Sequence, residues 1–439
     1  MDVMDYRGIA DRLAHDIETG RLAPGDRLPP QRRFARAHRI AASTAARVYG
    51  ELVRRGLAVG EVGRGTFVRA APPPPEPALA EPAGARVDLE FNTCVLPDQA
   101  ELLAPALHAL VDDGFTAAMA PVGARGTARA RDAAARLLTR GGWAPDPRRV
   151  VFTGNGRQAI AAAVAALVPV GGRLGVEAIT YPVVKAIATR LGITLVPLPV
   201  DDAGVLPRAL RTSGVRVAYL QPVLHNPLGT TAPERRRAEL AEVVRELDAQ
   251  VVEDSTYAFL GPDLPPLAPE RTTVVDSLSK RLAPGLTLGF AVPPPHLVDR
   301  VAAAARSGAW AAGGFALAAA TRWLEDGTVA SIVDRKRALA GRRQQLARER
   351  LRGFDTSSDP GAYHCWWRLP EHWRAETFVA AAARRGIAVT PAAAFAVVPG
   401  HAPNAVRLAL ASTPADTLVA ALGELASLAH GSPEDESVD

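Results

Sequence analysis

Of the 51 basic residues in this chain only three are lysines, Lys185, Lys280 and Lys336. Arginine serves wherever a positive charge is enough, so a retained lysine asks for a chemical reason. An arginine stays protonated, whereas a lysine amine can lose its proton and condense with an aldehyde. Lys280 stands in Asp276-Ser277-Leu278-Ser279-Lys280-Arg281, just after the β-branched run Thr272 to Val275. Hydroxyls and a strand end surround it in sequence. Lys185, in a helical run after Tyr181-Pro182, and Lys336, within Asp334-Arg335-Lys336-Arg337, read instead as surface lysines.

Other segments offer complementary chemistry. Gly154-Asn155-Gly156-Arg157-Gln158-Ala159 leads from a strand into an Ala-rich helix, and amides exposed at a helix N-terminus suit a phosphate. Tyr181 could lay its ring over a flat ligand. Asn226, in Asn226-Pro227-Leu228-Gly229, carries an amide donor. In Glu253-Asp254-Ser255-Thr256-Tyr257 a carboxylate and a phenol lie three residues apart.

The elements that must position these groups follow from periodicity. Short β-branched runs at 150–153, 174–176, 194–198, 215–221, 250–253 and 272–275 alternate with Ala-rich stretches, predicting a mostly parallel sheet wrapped by helices. Ligands bind such sheets at the carboxyl ends of the strands, where the candidate residues fall.

The N-terminal part differs. Ile9, Leu13 and Ile17 mark a first helix, Gln31 to Ala37 a second around Phe34, and Ala45, Val48, Tyr49 and Leu52 a third over 42–55. Leu57 to Val68, with Gly60, Gly63 and Gly65, predicts a hairpin. Three helices and a hairpin make a winged helix-turn-helix. Residues 1–68 carry 12 Arg against 8 acidic residues and so supply +4 of the chain's +5 charge, which is compatible with nucleic acid. Pro72-Pro73-Pro74-Pro75 opens a stiff connector. The expected boundaries are 1–69, a linker at 70–86, a large α/β domain with a smaller C-terminal α+β subdomain at 87–428, and an acidic tail at 429–439. Cys94, Cys365, His364 and His372 make no zinc spacing, and no run is apolar enough to span a membrane. A soluble, cytoplasmic protein without metal or disulfide is expected.

Motif order then carries a resemblance. Ser277-Leu278-Ser279-Lys280 resembles the cofactor-lysine loop of fold-type I pyridoxal-phosphate enzymes, and Asn226-Pro227 and Asp254-x-x-Tyr257 resemble motifs of class I aminotransferases. Gly20-Arg21-Leu22-Ala23-Pro24-Gly25, Gln31-Arg32-Arg33-Phe34-Ala35 and Gly63-Arg64-Gly65-Thr66-Phe67-Val68 resemble the DNA-binding domain of GntR-family regulators. The whole chain is similar to the MocR subfamily, which joins the two.

The resemblance implies pyridoxal phosphate on Lys280, bounded by Gly156, Arg157, Gln158, Tyr181, Asn226, Asp254, Tyr257, Ser277, Ser279 and Arg281, with Arg407 for the carboxylate of an effector or substrate. It implies operator DNA at Arg32, Ser43, Thr44, Arg47, Arg64, Gly65 and Thr66, a homodimer, and an amine or amino-acid effector. A working aminotransferase with an appended DNA-binding unit is the alternative. Three departures from the family pattern stand out: Thr287 where the family has a phosphate-binding arginine, no tyrosine near Met119 to lend across a dimer, and Ala41-Ala42 in place of Ser-Arg.

Overall fold

The computed structural model describes residues 6–61, 65–69 and 85–433. Arg64, most of the expected linker and the acidic end at 434–439 lie outside the described residues.

The N-terminal unit builds a small core from helices Tyr6–Glu18, Gln31–His38 and Ala42–Arg54. Ile9, Phe34, Ala45, Val48, Tyr49 and Leu52 are buried together, because their spacing puts them on inward helix faces. The buried Tyr49 hydroxyl donates to the Pro29 carbonyl at 2.6 Å, satisfying the one polar atom that its ring brings inside. Strands Ala58–Glu61 and Gly65–Val68 form the hairpin, and Arg27–Leu28 adds a third strand to it. That two-residue strand lies between Gly25 and Pro29, too short to show alternation in sequence.

The large domain holds a seven-stranded sheet in the order Val151–Thr153, Gly289–Val292, Thr272–Ser277, Gln250–Asp254, Val217–Leu220, Arg173–Glu177 and Thr194–Leu198. Only Gly289–Val292 runs antiparallel to its neighbours. Periodicity missed it because four fully buried residues show no alternation. The predicted strand at 215–221 is shorter, Val217–Leu220. Gly289 is required where it stands, since a Cβ there would come within 2.2 Å of the Asn155 carbonyl oxygen. The strand thus backs closely onto the loop that precedes the helix Gly156–Leu167.

A four-stranded antiparallel sheet, with Asp355–Ser357, His364–Arg368, Ala405–Ala409 and Thr390–Pro391 as strands, forms the smaller subdomain with helices Ala375–Arg384 and Ala415–His430. The last helix runs two residues past the expected boundary at 428. Val87–Asp88 pairs with Ile387–Ala388 in this subdomain. Helix Thr328–Arg350 packs against both large-domain and subdomain elements.

Candidate functional site

Strand Thr272–Ser277 ends at Ser277, whose hydroxyl lies 2.7 Å from that of Ser279 and caps the short helix Leu278–Arg281. That turn delivers the Lys280 side chain to the carboxyl edge of the sheet. Its Nζ donates to the Asn92 carbonyl and stands 5.8 Å from the Tyr257 ring and 5.9 Å from the Phe91 ring. Burial, helped by the cations Arg407, Arg157 and Lys336, brings the Lys280 amine down to about 7. Near neutrality a large share of it is free base.

Asp254 ends the neighbouring strand and is buried. Its Oδ2 accepts from the Tyr219 hydroxyl at 2.7 Å and its Oδ1 from the Thr256 amide at 3.0 Å. Burial raises its pKa, while these hydrogen bonds favour the anion. Tyr257 follows one turn on. Its hydroxyl accepts from Asn92 Nδ2 at 3.0 Å, and the same Nδ2 lies 3.1 Å from His364 Nδ1. With Asn92 donating to Nδ1, His364 carries its proton on Nε2 and gives it to the His225 carbonyl at 3.0 Å. His364 is held down to about 3 by burial and by Arg407, so it stays neutral. The Tyr257 proton is then free to point toward a ligand.

Arg407, on strand Ala405–Ala409, donates to Asn226 Oδ1 at 3.1 Å, to Thr390 Oγ1 at 3.1 Å and to the Glu90 carbonyl. It lies 5.1 Å from the Phe395 ring, and its Nε is buried without a hydrogen-bond partner among the described residues. A guanidinium with an unmatched buried donor is prepared for an acceptor.

The phosphate-like corner forms where helix Gly156–Leu167 begins. Asn155 caps it by accepting from the Gln158 amide at 2.9 Å, and a Cβ on Gly156 would approach the Ser277 hydroxyl to 3.0 Å. First-turn amides and two serine hydroxyls therefore converge, with Arg157 on the same first turn. Arg157 interacts with Tyr181 and has no carboxylate within ion-pair distance among the described residues. Gln158 Oε1 and Thr287 Oγ1 are buried without hydrogen-bond partners among the described residues. A group with phosphate oxygens and a pyridine ring fits this donor set: hydroxyls, amides and a cation from the start of the helix, the carboxylate of Asp254, Tyr257 beside Lys280, and Asn226 on Arg407.

Three sequence expectations need correction. Arg281 does not belong to the cradle: it forms a buried ion pair with Asp276 and lies 4.8 Å from the Phe259 ring. Strand pairing sets Asp254 opposite Val275, so alternation places Asp276 on the other face, which Arg281 follows. Lys336 is not a surface lysine but fully buried, and Lys185 is partly buried with its Nζ on the Ala394 and Ala396 carbonyls at 2.6 and 3.1 Å.

In the N-terminal unit Arg32, Ser43 and Arg47 are exposed, Thr44, Gly65 and Thr66 half-buried, and Arg64 is outside the described residues. Ser43, Thr44 and Arg47 lie in the first two turns of Ala42–Arg54, so one helix end presents short polar and cationic groups together. Among functional residues, sequence reasoning missed Asn92, Tyr219, Thr390 and His364. Tyr219 had a signal: a hydroxyl in an otherwise apolar buried strand needs a partner.

Comparisons with known proteins agree with this geometry. The family Aminotransferase class I and II matches residues 102–425, and Bacterial regulatory proteins, gntR family, matches residues 5–68. The chain is 29% identical to YdeF, an uncharacterized HTH-type transcriptional regulator of Bacillus subtilis, over 92% of this chain and 90% of that one. It is 25% identical to PdxR, an HTH-type pyridoxine biosynthesis transcriptional regulator of Corynebacterium glutamicum, over 65% of each. Among solved structures, the kynurenine aminotransferase of Pyrococcus horikoshii superposes with a TM-score of 0.73 at 22% identity, covering 81% of this chain and 93% of that one. The fold is therefore that of fold-type I pyridoxal-phosphate proteins behind a gntR-type winged helix, the MocR-type arrangement. This chain belongs to the aminotransferase class I and II family, and pyridoxal phosphate is the cofactor its site implies.

Proposed function

We propose that the protein is a transcriptional regulator that binds operator DNA through residues 1–69 and senses an amine or amino acid, or pyridoxal phosphate itself, in the domain that starts near residue 87. The observation that carries this reading is the coexistence, in one chain, of a lysine poised as free base among Asp254, Tyr257, Asn226 and Arg407 with a winged helix on which Arg32, Arg33, Arg36 and Arg47 are exposed. When bound, pyridoxal phosphate supplies an aldehyde that exchanges amines and a ring that withdraws electrons. Asp254, held by Tyr219 and Thr256, would keep the ring nitrogen charged. Asn226 and Tyr257 would donate to the phenolic oxygen, and Arg157 with Ser277 and Ser279 would hold the phosphate. Lys280 would yield to an incoming amine whose carboxylate Arg407 takes.

Such exchange alters DNA affinity only as far as ligand affinity differs between two domain arrangements. Pairing with a second copy is supported by exposed Val111, Phe115, Met119 and Phe315, which lie on neighbouring helices with Phe115 and Phe315 edge to face. No helix among the described residues is long and apolar enough to cross a membrane. The test is a DNA titration with and without cofactor beside a turnover assay on the same preparation. Several-fold changes in DNA affinity with very slow transamination are expected. Fast turnover and no effect on DNA would establish the aminotransferase reading, which the full set of Lys280, Asp254, Tyr257 and Arg407 favours.

A further inference from the structure

Lys336 faces no ligand position, yet it is a lysine in a chain that otherwise uses arginine. It projects from helix Thr328–Arg350 with no solvent exposure. Its ammonium donates to three carbonyls: Cys94 at 2.6 Å, Leu282 at 2.5 Å and Lys280 itself at 3.3 Å. Three acceptors around one point suit a compact ammonium with three rotatable donors, and a planar guanidinium does not reproduce them.

The Cys94 bond belongs to a pattern. Carbonyls of Glu90, Asn92 and Cys94, alternate residues of one non-helical stretch, receive Arg407, Lys280 and Lys336 in turn. Two of these cations are the groups assigned to ligand. The third touches no ligand position; it holds the carbonyl of the reactive residue and that of Leu282, two residues further on.

We propose that Lys336 is a positioning residue for Lys280: from the long helix it ties the loop at 280–282 to the stretch at 92–94, fixing where the Lys280 amine stands and adding positive charge beside it. This rests on the reading of Lys280 as the cofactor lysine. The charged and titratable groups that influence the Lys280 amine are Arg407, Arg157, Lys336 and Asp254, with Tyr257 and His364 beside it, and those influencing Lys336 include Cys94. Lys336 disfavours protonation of Lys280, so its removal moves the Lys280 amine toward higher pH.

The experiment uses the full chain and pyridoxal phosphate as the probe. Capture is followed by absorbance across pH, and borohydride trapping with peptide mapping locates the label. The parent protein is measured first, and absence of label on Lys280 there would overturn the cofactor-lysine reading and this inference with it. Lys336→Gln keeps donors but loses charge, and Lys336→Met loses both. Both variants should shift the capture midpoint to higher pH by about half a unit or more, and Lys336→Met should also weaken capture several-fold at its optimal pH. A purely structural lysine would lower the yield of folded protein without moving the midpoint. Midpoints identical to the parent's, with label on Lys280, overturn the inference while leaving the cofactor reading intact. So does failure of both variants to fold, since Lys336 would then be a folding requirement only.

Discussion

The winged helix and the aminotransferase-like domain use cations in opposite ways. Arg32, Arg33, Arg36 and Arg47 are exposed and have no ion-pair partner among the described residues. In the large domain Arg407, Arg281, Lys280 and Lys336 are each held by a carbonyl or a carboxylate, with Arg407, Arg281 and Lys336 buried. An exposed guanidinium on a mobile side chain attracts a phosphate backbone over a Debye length and needs no fixed position. A buried cation must be paid for by precise acceptors, and it then holds a ligand to a fraction of an ångström. The first region is built for long-range attraction and the second for geometry, so damage to one should leave the other's function measurable.

Replacing Lys280 by Ala tests this most severely. Borohydride trapping of pyridoxal phosphate should vanish, while DNA affinity of the cofactor-free protein stays that of the parent. Loss of both would mean that the two regions are not separable. In the parent, the depressed Lys280 amine is protonated below about pH 7 and free above it, so cofactor capture should rise through neutrality. A rise only near the ordinary lysine range, around pH ~10, would contradict the enclosure of that amine.

Asp254→Asn removes charge but keeps an acceptor for Tyr219. Cofactor should still be captured, and its exchange with amino acids, followed spectrally, should slow by orders of magnitude, because the ring nitrogen loses its counter-ion. An unchanged exchange rate would take Asp254 out of the site.

Arg157→Ala probes the phosphate corner. Losing one charge-assisted contact should weaken pyridoxal phosphate by roughly 10-fold to 100-fold. Thr287→Arg in that background should restore part of it, since Thr287 stands two residues before Gly289, which backs onto the Asn155 carbonyl at the start of this helix. Unaltered affinity in Arg157→Ala would show that amides and serines suffice.

The same contrast explains what the sequence made legible. Winged-helix elements followed from helical spacing of Ile9, Phe34, Val48 and Leu52, and the sheet followed from repeated β-branched runs, because each pattern is local. Lys280, Asp254, Tyr257, Asn226 and Arg407 stood out as candidates by type, spacing and motif order, and the fold sets Lys280 by Tyr257 and Arg407 by Asn226. What escaped were contacts made by backbone carbonyls and by residues remote in sequence. Asn92 lies 165 residues from the Tyr257 that it serves and 272 from His364, and no periodicity records such a pairing. Arg281 was misplaced because adjacency to Lys280 says nothing of which sheet face its partner occupies. The burial of Lys336 was hidden for a similar reason: its neighbours Asp334, Arg335 and Arg337 are polar, while its three acceptors come from segments remote in sequence.

The smallest effect belongs to the exposed surface. Arg32 stands at the start of helix Gln31–His38, exposed and without an ion-pair partner among the described residues, so its truncation costs no fold and removes one cation from the attraction to DNA. Arg32→Ala should weaken binding to the gene's upstream region only several-fold and leave cofactor uptake untouched. The informative quantity is the salt dependence: one lost phosphate contact lowers the slope of log affinity against log salt by about one. A drop in affinity with the slope unchanged would place Arg32 on a base rather than on the backbone. No change in either would move the DNA surface away from this helix altogether.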